Sequence, residues 1–374
     1  MILQLPVAGC SCMTLTSKSG KNYWFRTCDI DTDIWKEGAH IVSFPAGEKI
    51  FFYGRESEVC HYDFMGMTND EKDTWLLDGV NSEGLTGGLL LLLEGTSVDV
   101  CTMGDEDYEG YVWMELVTKF LSSCRSVKEV VEMAKKVRVL NIPYQGTCVP
   151  STMHFFFTDT SGDEVILEAW DKANPGRFCI YPKKEGIGIM TNSPTYPEHL
   201  SNLSWYISVS PELKAGSKFV KEAETFENLK FGDKVLHGDE RAEHLLRSNT
   251  FPASYCSYDR FVRLAVLKAL NDCGRKFSDD KMLAFGSGIM SAVFEPHSKG
   301  VFHYTGFDEK ERPVNQKDGC TQYLVMYDTA QKRMYLRALD EVAFTEYRLD
   351  SCDREGVKCY QVKHEGMAGI IKGN

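Results

Sequence analysis

The sequence has no apolar run long enough to cross a bilayer. Its longest run, residues 89–93, is far shorter than the roughly 20 residues that a membrane-spanning helix needs. The N-terminal segment MILQLPVAG carries no basic residue, and its apolar part is too short for a secretory signal. We therefore expect no membrane span and a cytoplasmic location.

Basic residues are outnumbered. The chain has 42 Lys and Arg against 54 Asp and Glu, a net charge of -12. Binding to nucleic acid depends on clustered Lys and Arg that neutralise phosphates. The charge balance therefore predicts no nucleic-acid partner and argues against an anionic membrane, but it leaves small-molecule substrates open.

Paired cysteine motifs are also missing. None of the 13 cysteines forms a Cys-x-x-Cys pair, so neither a zinc ribbon nor a redox dithiol of that type is indicated. In a cytosolic chain most of these cysteines should be reduced and buried as small apolar residues.

Strand patterns dominate the first hundred residues. The segment CMTLTSKSGKNYWFRTCDI contains two β-rich runs around a turn at 17–20, which predicts a hairpin. A second turn at 81–84 joins two more strands, and later hairpins are expected at 161–162 and 329–330. The chain contains no repeat, low-complexity segment or evident linker.

Helical periodicity occupies the intervals between these strands. One helix is predicted over 111–121, and a second begins at Ser126, whose pairing with Glu129 forms a capping box. A third amphipathic helix opens at Asp259, after an irregular, charged excursion at about 205–258. This order of elements favours a single α+β domain built from layered antiparallel sheets.

The stretch GCSC at residues 9–12 holds the most unusual thiols of the chain. A cysteine is a strong nucleophile only as a thiolate, which requires a base or a cation nearby. Cleavage before Cys10 would give it an α-amino group with a pKa of roughly 7.7–8.0, which can act as that base. The small Gly9 suits such a cleavage. Three interpretations remain open: structural thiols, metal ligands that also include Cys28, and a nucleophile.

The segment CSCMTLTSKSGKNYWFRTCD resembles the start of the choloylglycine hydrolase family, which contains bile salt hydrolases and penicillin V acylases. These are N-terminal nucleophile hydrolases with an αββα sandwich, whose mature chain begins with Cys and has Arg-x-x-Asp sixteen residues later. Counting from Cys10 gives Arg26 and Asp29, whereas counting from Cys12 misses by two. The resemblance implies that residues 1–9 are a propeptide removed by autoproteolysis and that 10–374 form one domain.

Four further stretches are similar to family motifs, in order: NSEGLTGGLLL, TNSP, YDRFVR and TQYLVMYD, so that the resemblance covers roughly residues 10–350. Two features depart from the family pattern. Leu91 stands at an oxyanion position where the family has Asn or Tyr, so only its backbone N–H could contribute. The segment FPASYCSYDR lacks the family's glycine-rich run, which leaves specificity and oligomeric state open.

The resemblance maps the catalytic positions of the family onto Cys10, Arg26, Asp29, Asn192 and Arg260. It implies hydrolysis of a linear, non-peptide amide through a thioester on Cys10, without metal or organic cofactor. Asp29 would position the α-amino group, and Asn192 with the Leu91 N–H would hold the oxyanion. Both arginines would lower the pKa of the thiol and order the site.

Several alternatives stay open at this point. An acyltransferase would use the same nucleophile, and an unprocessed relative could be a non-catalytic binding protein. Arg26 and Asp29 could form a surface salt bridge, and Asn192 could be an ordinary turn residue before proline. The substrate could be a conjugated bile salt, penicillin V or an N-acyl homoserine lactone, in each case with an apolar acyl part. A homo-oligomer, in the family a tetramer, is expected.

Overall fold

The computed structural model describes residues 9–30, 33–70, 75–100, 108–142, 153–208, 228–238, 252–296, 303–307, 313–349 and 356–362. Two antiparallel sheets form its centre. The first, in spatial order, consists of β14 (Ile189–Thr191), β1 (Ser11–Thr16), β2 (Asn22–Ile30), β19 (Cys320–Asp328), β20 (Arg333–Ala338) and β21 (Thr345–Arg348). The second consists of β13 (Cys179–Pro182), β12 (Glu164–Glu168), β11 (Met153–Thr158), β8 (Thr86–Leu91), β7 (Asp78–Asn81), β6 (Phe64–Thr68), β3 (His40–Phe44) and β22 (Lys358–Tyr360).

Short elements complete the description. Four two-stranded pairs are β4 (Lys49–Ile50) with β5 (Glu58–Val59), β9 (Glu109–Val112) with β10 (Val137–Leu140), β15 (Asn228–Phe231) with β16 (Lys234–His237), and β17 (His303–Phe307) with β18 (Pro313–Asp318). The α-helices are α1 (Leu116–Ser123), α2 (Val127–Ala134), α3 (Tyr196–Ser208), α4 (Ser257–Leu270) and α5 (Met282–Met290). Single 3-10 turns lie at Trp113–Glu115, Asp272–Gly274, Asp279–Lys281 and Ser291–Val293.

The helices cover the outer faces of the two sheets. α1 and α2 pack on the eight-stranded sheet, and α4 and α5 pack on the six-stranded one. Strand β11 illustrates that both faces of its sheet are apolar and need cover, because side chains alternate between the two faces of a strand. Phe155 and Phe157 join the helix-covered core, whereas Phe156 joins the core between the sheets. The layers are the αββα sandwich that the family resemblance implied.

Most local predictions match the structure. The turns at 17–20, 81–84, 161–162 and 329–330 each join paired strands. Ser126 caps α2 by accepting a hydrogen bond from the backbone N–H of Glu129 at 3.4 Å.

Two predicted helix starts were wrong. The helix expected from residue 111 begins at Leu116, because Tyr111 belongs to β9 and pairs with Val139 of the parallel strand β10. The helix expected at Asp259 begins at Ser257. Asp259 instead accepts a hydrogen bond from the N–H of Ser254 at 3.1 Å, which stabilises the turn leading into α4.

The excursion expected at 205–258 lies mostly outside the described residues. The described parts of this segment are the last turn of α3, the hairpin of β15 and β16, and the first residues of α4. In the described part of the chain, no helix combines the length and apolar character needed to span a membrane.

Glu115 gives the stability of this fold a pH dependence. Its carboxylate is buried and accepts a hydrogen bond from the Tyr53 N–H at 2.7 Å, and burial raises its pKa to about 7. The Glu115 carboxyl group therefore binds a proton more tightly in the native state than in the unfolded chain. The stabilisation is complete below the unfolded pKa of roughly 4.3 and is lost as pH rises through 7.

We expect Glu115→Gln to remove this dependence. Between pH 5 and pH 8, urea denaturation should show the wild type losing on the order of 3 kcal/mol more unfolding free energy than the variant does. The exposed Glu132→Gln serves as the control and should follow the wild type. Equal slopes for the wild type and Glu115→Gln would contradict this assignment.

Candidate active site

Cys10 immediately precedes β1 and continues its register with β2. Ser11 is opposite Thr27, and the backbone N–H of Gly9 donates to the Asp29 carbonyl at 2.7 Å. The pairing therefore continues through the residue between them, which puts Cys10 opposite Cys28. Cys10 is 2% exposed, so its sulfur lies in the core between the two sheets.

Arg26 projects from β2 to the Cys10 sulfur. Its Nη2 is 3.6 Å from the Sγ of Cys10 and 3.8 Å from that of Cys28. Its Nη1 donates to the Leu77 carbonyl at 2.8 Å. The guanidinium is 1% exposed, so its charge acts on both thiols with little screening by water.

Asp78 holds this guanidinium from the opposite sheet. Its Oδ2 is 2.5 Å from Nη1 of Arg26, and it accepts hydrogen bonds from the hydroxyls of Tyr323 at 2.6 Å and Tyr327 at 2.5 Å. Sequence reasoning missed this residue. Its signal was an acidic residue inside an apolar strand segment, LLDGV, where a carboxylate needs a buried partner.

The two cysteines of the opening motif have opposite acidities. Hydrogen bonding from Cys28 and the charge of Arg26 hold the pKa of Cys10 well below its usual range, against the effect of burial. Burial raises the pKa of Cys12 well above its usual range. Cys10 is therefore the thiol suited to act as a thiolate, and Cys12 is a packed strand residue.

Arg260, in the first turn of α4, holds the backbone around Cys10. Its Nη1 donates to the Gly9 carbonyl, to the Cys10 carbonyl at 2.7 Å and to the Ser11 hydroxyl at 2.6 Å. Of the two predicted arginines, Arg26 therefore contacts the sulfur, whereas Arg260 binds the peptide bond on either side of the residue.

Asn192 links Arg260 to the end of β8. Its Oδ1 accepts from Nη2 of Arg260 at 3.0 Å, and its Nδ2 donates to the Leu91 carbonyl at 3.2 Å. The Leu91 carbonyl, and not its N–H, thus faces this side chain. The expected oxyanion role of the Leu91 N–H stays a prediction.

His199 holds the backbone of Asn192 through a hydrogen bond. Burial lowers the pKa of His199 to about 3, so the ring is neutral and its Nε2–H donates to the Asn192 carbonyl at 2.7 Å. The ring stacks on Phe261 with centroids 4.6 Å apart. This histidine lies in the stretch EHLSNL, residues 198–203, where its sequence position alone gave no role for it.

Two buried carboxylates flank the Gly9–Cys10 bond. Asp29 is fully buried and accepts from the Thr27 hydroxyl at 2.9 Å, and burial together with the charge of Glu295 raises its pKa. Glu295 is 1% exposed, 3.5 Å from Nε of Arg260. A Cβ on Gly9 would overlap the Glu295 carboxylate, which explains the glycine there. No local motif signalled Glu295.

The structure brings together all five candidate residues from three parts of the chain. Arg26 and Asp29 do not form a surface salt bridge, because both are buried and Arg26 pairs with Asp78. Asn192 is not merely a turn residue, since both ends of its amide are engaged in the site. Within the described ranges, no group of three or more His, Cys, Asp or Glu side chains could hold a metal.

Comparisons with known proteins identify the family of this chain. Residues 10–359 match the family described as linear amide C-N hydrolases, choloylglycine hydrolase family. A bile salt hydrolase/transferase of Clostridium perfringens is 25% identical over 266 residues, which cover 69% of this chain and 71% of the relative.

Solved structures share the fold. A conjugated bile acid hydrolase from Clostridium perfringens superposes with a TM-score of 0.71 at 20% identity, covering 95% of this chain and 97% of the other. A penicillin V acylase from Agrobacterium tumefaciens gives a TM-score of 0.66 at 18% identity, covering 96% and 93%. Because the family model spans nearly the whole chain from Cys10 onward, the protein belongs to the choloylglycine hydrolase family and is a linear amide C-N hydrolase.

Proposed function

We propose that this enzyme is an N-terminal nucleophile hydrolase that cleaves a linear, non-peptide amide through a thioester on Cys10. Removal of residues 1–9 makes Cys10 the N-terminus of a single domain, 10–374. The observation that carries the proposal is the position of the Cys10 sulfur, 3.6 Å from the buried guanidinium of Arg26. A thiolate is stabilised there, next to a backbone bond held by Arg260.

The contacts of Gly9 suit self-cleavage. The Cys10 thiolate attacks the Gly9 carbonyl, whose oxygen already accepts a hydrogen bond from Arg260, so the guanidinium stabilises the developing oxyanion. Collapse breaks the Gly9–Cys10 amide, transfers the acyl group to sulfur and frees the α-amino group. Water then hydrolyses the thioester and releases the leader.

The new α-amino group meets a negatively charged setting. Asp29 and Glu295 lie beside the bond that is cut, and the burial of Asp29 together with the charge of Glu295 raises the pKa of Asp29. One oxygen of Asp29, Oδ1, has no hydrogen-bond partner among the described residues. An ammonium group between the two carboxylates relieves their repulsion, so both residues position the amine at Cys10.

Amide hydrolysis follows from this arrangement. The α-amine takes the proton of the Cys10 thiol, which gives an ammonium beside Asp29 and Glu295 and a thiolate beside Arg26. The thiolate then attacks the substrate carbonyl. Asn192 donates to the oxyanion, a contribution of about 10²–10³ in rate. The resulting ammonium protonates the leaving amine, and water then cleaves the thioester to release the acid.

The acyl part of the substrate is proposed to be apolar, as in a conjugated bile salt, penicillin V or a related N-acyl compound. The support comes from the relatives, which are named as bile salt hydrolases and penicillin V acylases. One relative is named a hydrolase/transferase, so acyl transfer to an added amine is the second candidate activity.

Amine release from a substrate panel tests the proposal. The processed protein is given a taurine-conjugated bile salt, penicillin V and an N-acyl homoserine lactone, with and without glycine as an acyl acceptor. We expect hydrolysis of at least one amide, an acyl adduct on Cys10 in acid-quenched mass spectra, and a rate lowered about 10²–10³-fold in Asn192→Ala. New N-acyl glycine indicates transfer. An acyl adduct elsewhere, or no amide cleavage, overturns the proposal.

A further inference from the structure

Cys28 is a second thiol beside the nucleophile Cys10. It takes no part in the steps of the proposed amide hydrolysis. It is a free cysteine and is 1% exposed. Its sulfur and that of Cys10 lie around the same Nη2 atom of Arg26, at 3.8 and 3.6 Å. Hydrogen bonding from the Cys28 thiol also contributes to the lowered pKa of Cys10.

The strand register sets the geometry of this pair. The N–H of Gly9 bonds to the carbonyl of Asp29, which makes these two residues a hydrogen-bonded pair. The next pair, Cys10 with Cys28, is then a non-hydrogen-bonded pair, with Cα atoms about 4.5 Å apart and side chains on the same face. A disulfide requires about 4.4–6.8 Å between Cα atoms, so the backbone need not move.

We propose that Cys10 and Cys28 are an oxidative modification site, in which a hydroperoxide oxidises Cys10 and Cys28 closes a reversible disulfide with it. The inference rests on the proposed function only in taking Cys10 as the reactive thiolate.

The chemistry balances in two steps. The Cys10 thiolate attacks one oxygen of the hydroperoxide, the O–O bond breaks, and hydroxide or alkoxide leaves, so that the sulfur becomes a sulfenic acid. The Cys28 thiol then attacks this sulfur, the S–O bond breaks, water leaves and the S–S bond forms. A dithiol reductant restores both thiols by exchange.

This disulfide has two consequences. It removes the nucleophile, so amide hydrolysis stops while the bond persists. It also prevents further oxidation of the Cys10 sulfur to the irreversible sulfinic acid. Cys12 is a matched control, because it lies two positions along the same strand, where it is opposite Arg26 and not Cys28.

Peroxide treatment of the processed wild type, Cys28→Ala, Cys28→Ser and Cys12→Ala tests the proposal. After oxidation, free thiols are blocked and the proteins are digested for mass spectrometry, and parallel samples are reduced with dithiothreitol and assayed. We expect the wild type and Cys12→Ala to lose two hydrogens, to yield a crosslinked Cys10–Cys28 peptide, and to recover activity. Both Cys28 variants should add two or three oxygens to Cys10, as sulfinic or sulfonic acid, and stay inactive after reduction.

The outcomes separate the two proposals. An active wild type without the crosslink, or Cys28 variants that recover as fully as the wild type, overturns the disulfide and leaves the hydrolase proposal intact. A crosslink in a protein that is unprocessed or inactive on every amide supports the disulfide and contradicts the hydrolase proposal. Cys28→Ser retains a hydroxyl at the buried position and covers the case in which the alanine variant fails to fold.

Discussion

Cys10→Ala is expected to keep residues 1–9 attached and to lose amide hydrolysis by on the order of 10⁴–10⁶-fold. The variant has no sulfur to attack the Gly9 carbonyl and none to form the thioester. Intact mass spectrometry measures the first effect, because the wild type should lack the nine leader residues and begin at Cys10. The rate of amine release measures the second.

Cys12→Ala is the matched control for this experiment. Cys12 is buried two residues further along the same strand, so its replacement creates a comparable small void without touching the reacting bond. It should be processed and active. A Cys10→Ala chain that loses its leader would show that another group or another protein makes the cut, and an intact leader in the wild type would favour the binding-protein alternative.

Arg26→Met is expected to destabilise the fold and to make Cys10 less acidic. In the wild type, the Asp78 carboxylate lies 2.5 Å from the Arg26 guanidinium. The substitution leaves this carboxylate buried without a cation, and removing one partner of a buried ion pair costs about 3–5 kcal/mol. It also removes the positive charge that lowers the pKa of Cys10. Urea denaturation measures the first effect, and the pH dependence of iodoacetamide alkylation at Cys10 measures the second.

Two further variants separate charge from packing. The double variant Arg26→Met with Asp78→Asn removes both charges and should recover part of the lost stability, because no ion is left unpaired. In this double variant, the pKa of Cys10 should still be higher than in the wild type. Arg26→Lys keeps the charge and should alkylate more like the wild type. If Arg26→Met leaves the alkylation profile unchanged, Arg26 does not set the acidity of the thiol.

Much of the outline could be predicted before the structure was known. Counting from the family's Arg-x-x-Asp pattern, which matches Arg26 and Asp29, distinguished Cys10 from Cys12, and the structure separates the same two thiols by their acidity. The hairpins and the Ser126 cap were also predictable, because turns and caps depend on residues within four positions of one another. The family resemblance supplied the αββα layering and the remote Asn192 and Arg260.

Partners across layers were decided only by the tertiary structure. Asp78 reaches Arg26 from the opposite sheet, and Glu295 contacts Gly9 although the two are far apart in the sequence. No local pattern encodes such pairs, since each depends on how two sheets stack. The strand at Tyr111 has the same origin: its helical periodicity was overridden by pairing with β10.

The nucleophile itself shows the division most clearly. The residues around Cys10 identify a cysteine that could become the N-terminus. Elementary acid-base chemistry indicates that its α-amino group could then act as a base. Whether that thiol is a thiolate depends on a guanidinium held across the sheet interface and on Cys28, placed opposite it by strand register. Low-dielectric burial makes these few contacts strong, and burial is a property of the folded layers rather than of the sequence near the cysteine.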